Sequence, residues 1–374
     1  MAHLEDYILL NMVEGLGFKR LESLLKFYGE PSCILNAPRG ELATVEGVGN
    51  VIAEKITSLK KKELDRELKL MEKRGVYAIS VFDANYPRNL KNSYSPPIVI
   101  YVRGEIKPED ADAVALVGSR MPSHYGVATC ERLSSDLTSR GITVVSGMAR
   151  GIDTAAHTGA LRSGRTIAVL GSGLNQVYPP ENKKLADEIC GKGAVISEFP
   201  MNTPPNRFNF PRRNRVISGL SLGVIVIEAG EKSGALITAN FALEENREVF
   251  AVPGRIDSKV STGTNNLLKE GAKLVERAED IIEEIQSSLK YYSEGRGKAK
   301  EESPLRDEHS PRGEAEGLSG EEKSMKNLLS YDPIYIDELA QKSNMSVDRV
   351  ASLLVRLEIK NLIKELPGKN FILK

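Results

Sequence analysis

Between residues 111 and 290, short apolar runs alternate with longer stretches of helical periodicity. The runs are AVALVG (113–118), ITVVSG (142–147), TIAVLG (166–171), AVISEF (194–199), LGVIVIEAG (222–230) and EVFAVPG (248–254). They are continuously apolar rather than alternating, as strands covered on both faces must be. Helix-length segments separate most of them, for example 123–140, 152–164, 181–191 and 233–246. The pattern predicts an α/β fold with a doubly wound parallel sheet. Nearly every run closes in or beside Gly, so the loops at the strand carboxyl ends are tight. Ligands bind at that edge of open α/β sheets. Upstream, VYAISVF and PIVIYV, with Pro96 and Pro97, are expected to flank or extend the sheet over 76–104.

The flanks read differently. Residues 1–75 look helical, with Gly15-Leu16-Gly17 and Gly47-Val48-Gly49 each opening a helix. Such turns resemble tandem helix-hairpin-helix units, which hold a DNA phosphate at helix N-termini; a small helical bundle with Gly turns fits the same pattern. Residues 291–318 read as a flexible linker, since 295–318 hold no aromatic or β-branched residue and are dense in charge, Gly and Pro. Residues 319–374 read as helices, a short β run (PIYI) and a final hairpin around Pro367-Gly368, a winged-helix pattern. The expected division is therefore 1–75, 76–290, 291–318 and 319–374.

Composition narrows the function. The chain has 374 residues, and its 51 Lys+Arg balance 51 Asp+Glu, so any attraction to nucleic acid must come from a local cluster. No apolar run reaches the roughly 18 residues of a membrane span, and the N-terminus lacks a basic leader. Cys33, Cys130 and Cys190 lie far apart, and the four His share no metal-ligand spacing with them. A cytoplasmic protein without membrane contact, metal or other cofactor is expected.

Three segments at the predicted strand ends carry candidate chemistry. Gly118-Ser119-Arg120 closes the first run before a helix, where backbone N–H groups hold an anion and Arg120 adds a bidentate contact. Ser146-Gly147-Met148-Ala149-Arg150-Gly151 brackets a second loop with two glycines and displays Arg150. The third, 206–215, holds Arg207, Arg212, Arg213 and Arg215 with Phe208 and Phe210 and no acid. Arginines beside aromatics suit single-stranded nucleic acid, because guanidinium groups neutralise the backbone while rings stack on unpaired bases. A solvated charge run with its Phe residues in the core is the plainer alternative. Ser233-Gly234, opening a later helix, can complete an anion pocket, and Lys232 adds charge beside it. Asp153 and His157, at i and i+4, could pair on a helix. Gly171-Ser172-Gly173 starts like a dinucleotide fingerprint but lacks its third Gly. Neither a Gly-x-Ser-x-Gly elbow nor a P-loop is present.

Taken together these loops resemble the bacterial DNA processing protein A (DprA, or Smf) family. The resemblance rests on Tyr86-Pro87, Pro96-Pro97, Val117–Arg120, Ser146–Asp153 with Ala156-His157, Ala168–Leu174 with Tyr178-Pro179, Phe210–Ser221, Glu228-Ala229, Ser233–Ala239 and Val252–Gly254. It covers roughly residues 75–285. It implies an extended Rossmann-like domain that binds single-stranded DNA, forms a homodimer and loads RecA recombinase on incoming strands during natural transformation. It implies a binding protein and no catalytic residues. The family's DNA pocket carries over to Gly118, Ser119, Arg120, the 146–151 loop, Phe210, Arg213, Asn214 and Arg215; Arg207, Arg212 and Lys232 are added on charge alone. Two rivals stand beside it. One is a Rossmann-like nucleotide phosphoribohydrolase, whose Pro-Gly-Gly-x-Gly-Thr loop is replaced here by Glu228-Ala229-Gly230-Glu231-Lys232-Ser233-Gly234. The other is a winged-helix transcription regulator, although residues 319–374 hold nine Lys/Arg against eight Asp/Glu, hardly the charge of a major-groove reader.

Overall fold

The computed structural model describes residues 3–289, 319–331, 333–360, 362–366 and 368–373. The predicted linker (291–318) and Pro367 of the final hairpin lie outside the described residues.

The chain opens with helices α1 (Leu4–Asn11), α2 (Phe18–Tyr28), α3 (Pro31–Asn36), α4 (Arg39–Leu42), α5 (Gly49–Thr57) and α6 (Lys61–Arg74). Apolar positions at helical spacing turn inward: Leu21 and Leu24 of α2 are fully buried, each contributing about 2 kcal/mol of transfer free energy. The two predicted turns both form, with φ 93° at Gly15 and 80° at Gly47.

A nine-stranded sheet follows. Its strands are β1 (Val76–Ser80), β2 (Val99–Gly104), β3 (Ala113–Val117), β4 (Thr143–Ser146), β5 (Thr166–Val169), β6 (Ala194–Ser197), β7 (Gly223–Val226), β8 (Glu248–Ala251) and β9 (Lys273–Leu274). Between or after them run α7 (Arg88–Lys91), α8 (His124–Ser139), α9 (Ile152–Ser163), α10 (Lys183–Lys192), α11 (Asn209–Leu220), α12 (Gly234–Glu244), α13 (Thr262–Lys269) and α14 (Ala278–Ile285). The spatial order is β1-β2-β6-β5-β4-β3-β7-β8-β9. From β6 to β9 all neighbours are parallel, for example Ala115 beside Val224. β1 and β2 extend the sheet as predicted, antiparallel to each other and to β6. Strands β3 to β7 are buried at every position, which explains their unbroken apolar sequence. The chain winds from β3 outward to β6, then returns past β3 to β7. The switch point, where a doubly wound sheet takes its ligand, lies between β3 and β7.

The N-terminal helices and the sheet share one core. Ile8, Leu10, Leu21 and Ile34 belong to the same buried cluster as Val99, Tyr101, Val195 and Met201. Polar ties cross this seam: Asn11 Nδ2 donates to the Glu198 carbonyl (3.0 Å), the Met201 amide donates to Glu67 Oε1 (2.7 Å), and Arg74 Nε donates to Asn175 Oδ1 (2.8 Å). Burial raises the Glu67 pKa, and the Met201 N–H opposes the shift.

The C-terminal part is a small unit of its own. It comprises α15 (Gly320–Leu328), β10 (Ile334–Tyr335), α16 (Ile336–Ser343), α17 (Val347–Ile359), β11 (Ile363–Leu366) and β12 (Asn370–Leu373). Ser319 and Glu322 form a reciprocal capping box at the start of α15. Asn344, in the left-handed region (φ 54°), turns α16 into α17. β11 and β12 pair antiparallel, and Leu339, Val350, Leu353, Leu357 and Phe371 close the core. Together with the parallel sheet, this gives the mixed α/β fold and winged-helix end expected from the sequence. No described helix is long and apolar enough to cross a membrane.

Candidate functional site

At the switch point lies an open trough of about 630 Å³. Its wall holds Gly118, Ser119 and Arg120 from the loop after β3, and Lys232, Ser233 and Gly234 from the turn into α12. Arg207, Phe210, Arg213 and Asn214 come from the start of α11 and the residues before it. A narrower extension is lined by Gly147, Arg150, Tyr178 and Phe210. The fold thus gathers residues from five sequence-distant segments.

The loops lean on one another. The Ser119 amide donates to the Glu228 carbonyl (2.7 Å) and the Ile152 amide to the Ser119 carbonyl (3.1 Å), tying the β3, β7 and α9 loops. Ser119 Oγ accepts from the Met121 amide (3.1 Å), and Ser146 Oγ, fully buried, donates to the Leu116 carbonyl (2.6 Å). Ser233 caps α12 by accepting from the Ala235 amide. Asn214 Nδ2 donates to the Gly234 carbonyl (3.2 Å) and joins α11 to α12. Gly151 begins α9 directly against Ser119.

The arginines divide into two classes. Arg120, Arg207 and Lys232 are exposed and make no ion pair among the described residues. Arg120 lies over the Phe210 ring at 5.1 Å, and Arg207 over the Phe208 ring at 4.8 Å. Arg213, by contrast, is 5% exposed. Its guanidinium donates to the Gly147 carbonyl, to the Val169 carbonyl (2.8 Å) and to Asn214 Oδ1 (3.0 Å). Desolvation lowers the Arg213 pKa, and Asp153 beside it holds the charge in place. Gly147 is what admits this side chain: a Cβ there would overlap Arg213 Nη1 and sit 2.6 Å from Asp153 Oδ2. Asp153, itself buried, also accepts from the Ala149 amide (3.1 Å). Burial raises its pKa and Arg213 opposes the rise.

In the sequence the four arginines of 206–215 have no acid among them, and their backbone state is not marked. The structure supplies both. Asn209–Leu220 is helical, so Phe208 and Phe210 do not share a strand face: Phe208 is 64% exposed, whereas Phe210 is half-buried against Tyr178. Charge is balanced from a distance, because Glu198, carried in by the end of β6, pairs with Arg215 and lies 3.6 Å from Arg212. Arg215 also donates to the Ser95 carbonyl, and Arg150 is paired with Glu181. Asp153 and His157 do not pair. His157 Nδ1 contacts Thr166 Oγ1 (2.7 Å), and burial pushes its pKa down to about 3.

Sequence reasoning missed Val260 of the trough wall, which carries no charge or motif. Ile237, Tyr178 and Gly171 stand within the motifs that carry the resemblance but were given no part in the site; the structure puts Ile237 in the trough wall and packs Tyr178 and Gly171 against Phe210. No cluster of side chains able to hold a metal ion exists among the described residues.

Comparison with known proteins bears directly on this architecture. Residues 77–286 match the family described as DNA recombination-mediator protein A, and residues 309–369 match the DprA winged helix domain. Protein Smf of Escherichia coli (strain K12) is 37% identical over 318 residues, covering 84% of this chain and 82% of that protein. The X-ray structure of DNA processing protein A from Streptococcus pneumoniae superposes with a TM-score of 0.66 at 35% identity, covering 76% of this chain and 98% of that one. A second structure, of DNA processing protein A from Helicobacter pylori, is described as giving insights into its single-stranded DNA binding mode. It superposes with a TM-score of 0.52 at 30% identity, over 57% of this chain and 97% of that one. With the doubly wound sheet, the loops at its switch point and the winged-helix end all matched in order, the chain belongs to the DNA processing protein A (DprA/Smf) family.

Proposed function

We propose that this protein binds single-stranded DNA in the trough between β3 and β7, and that it acts as a binding protein rather than an enzyme. The observation that carries this reading is the charge of the trough. Asp153 is the one carboxylate lining it and is engaged by Arg213, while Arg120, Arg207 and Lys232 stay unpaired among the described residues. Backbone N–H groups at the α12 start add anion-binding capacity, and Phe210 beneath Arg120 offers a ring to a base. Gly118, Ser119, Ser233 and Gly234 line the trough and Gly147 its extension without contributing charge, whereas Ser146 and Gly151 lie outside the lining and support the loops behind it. The Helicobacter pylori relative's single-strand binding supports the same chemistry. Of the acid–base candidates, His157 is fully buried and Asp153, which reaches the trough wall, is buried against Arg213, which favours binding over catalysis.

The finer parts of the proposal are delivery of the strand to RecA recombinase during transformation, a homodimer that joins two troughs and raises affinity through effective concentration, and a cytoplasmic location. For the winged-helix part a protein-contact role is favoured over duplex reading, since Arg349 pairs with Glu321 and Lys360 with Glu322.

Filter binding of a single-stranded oligonucleotide across a salt series tests the main claim. Arg120→Ala and Arg207→Ala should each weaken binding about tenfold or more, the usual cost of a charge-assisted contact. Each should also flatten the slope of log K against log salt by about 0.7. Unchanged isotherms for both variants would remove the trough as the site. Release of free base from nucleoside monophosphates would instead favour the hydrolase reading.

A further inference from the structure

The segment 206–212 separates two cavities. Arg207, Phe210 and Pro211 line the trough, whereas Asn206, Asn209 and Arg212 line a second groove of about 680 Å³. The far wall of that groove is the first N-terminal hairpin, Gly15 to Phe18, and prolines 96, 97, 200 and 204 supply flat apolar surface.

Three observations point to an occupant. Phe208 lies between the two sets of lining residues, 64% exposed, with Arg207 stacked over its ring and no core around it. Exposed aromatics under arginines are stacking platforms for unpaired bases. Arg212, half-exposed, covers the Phe199 ring at 4.8 Å on the groove side of the segment. Glu198 also lines the groove. Its side chain is only 6% exposed, Arg215 and Arg212 lie against its Oε2 and its Oε1 is closed off from the groove, so its charge is already answered; Glu14, the other carboxylate of the lining, pairs with Lys55. At the groove's far side, α2 begins with no acid in its first turn; Arg20 is held on the Gly15 and Gly47 carbonyls and Lys19 lies over the Tyr94 ring. Arginine edge, apolar flats and an exposed ring together suit a nucleotide, with phosphate outside and base inside.

We propose that the second groove is a continuation site for single-stranded DNA, entered when a strand leaving the trough crosses Phe208 and lays its next nucleotides against the first N-terminal hairpin. The proposal rests on the trough reading and extends it. The strand path then involves the N-terminal helices as well as the sheet.

The test uses the full chain and fluorescence anisotropy with fluorescein-labelled oligo(dT) of graded length. Wild-type affinity should rise with length and rise again once the trough is filled. Phe208→Ala and Arg212→Ala should remove the second rise, a loss of about tenfold on long oligonucleotides, and leave the shortest within about twofold of wild type. Thr203→Glu, an acid placed in the groove wall where only backbone atoms of Thr203 are bonded, should do the same through repulsion. Arg120→Ala should weaken every length. If the three groove variants match wild type at all lengths while Arg120→Ala still loses affinity, the continuation site is wrong and the trough stands. If the groove variants weaken the shortest oligonucleotides equally, these residues serve the trough and the continuation site is again wrong. If Arg120→Ala changes nothing, the trough reading itself falls.

Discussion

Arg213 lies in a water-excluded slot made by Gly147, while Arg120, on the same wall, reaches solvent. Removing Arg213 would strand the Asp153 carboxylate in that slot, along with the Gly147 and Val169 carbonyls. Arg213→Ala should therefore cost about 3–5 kcal/mol of folding stability, read as a lowered urea midpoint, whereas Arg120→Ala should leave the midpoint unchanged. Arg213→Met combined with Asp153→Leu should recover part of the loss, since an apolar pair leaves no buried charge. His157 makes a second residue-scale case. Thr166 Oγ1 donates to the Val144 carbonyl, so it accepts from His157 Nδ1–H, and Nε2 stays bare in the neutral ring. Its folded pKa, about 3, lies below the ordinary 6.5. The unfolded chain thus takes up the proton first. The stability is complete above pH 6.5 and is lost as pH falls from there toward 3, by up to about 1.4 kcal/mol per unit. Between pH 6.5 and 4, His157→Asn should show a flatter fall in urea midpoint than wild type; equal slopes would refute the assignment.

At the scale of elements, the two N-terminal turns act as a pair. Arg20 donates from Nη1 to the Gly15 carbonyl (2.6 Å) and from Nε to the Gly47 carbonyl (2.7 Å), clasping two turns far apart in sequence. Arg20→Ala should loosen the clasp at a cost of about 1 kcal/mol, since the site is exposed. Faster hydrogen exchange at the amides of Leu16 and Val48, which donate to the Val13 and Val45 carbonyls within the two turns, would report it. The turns themselves were legible, because Gly-x-Gly before a helical run is a local signal. The clasp was not, because nothing near Arg20 in sequence names its acceptors. The strands were legible for a similar reason: burial on both faces writes itself as an unbroken apolar run. The start of α11 was not legible because Arg, Asn and Pro carry little helical periodicity, and burial of Val216, Ile217 and Leu220 sets its helical state instead.

Across the whole molecule, zero net charge conceals a local imbalance. The sequence located that imbalance at 206–215 but not its internal counterweights. Glu198 and Asp153 are distant in sequence, and only the winding of β6 and α9 brings them to Arg215 and Arg213. Among the described residues of the trough wall, what stays unpaired is a smaller set, Arg120, Arg207 and Lys232, selected by topology rather than by composition.

The seam between the helices and the sheet has a consequence for any shortened version of this chain. Loss of the first 75 residues would uncover Tyr101, Val99 and Val195 to water and unfasten Met201 from Glu67. A natural protein lacking that layer must repaint the same sheet face with polar side chains or borrow cover from another subunit.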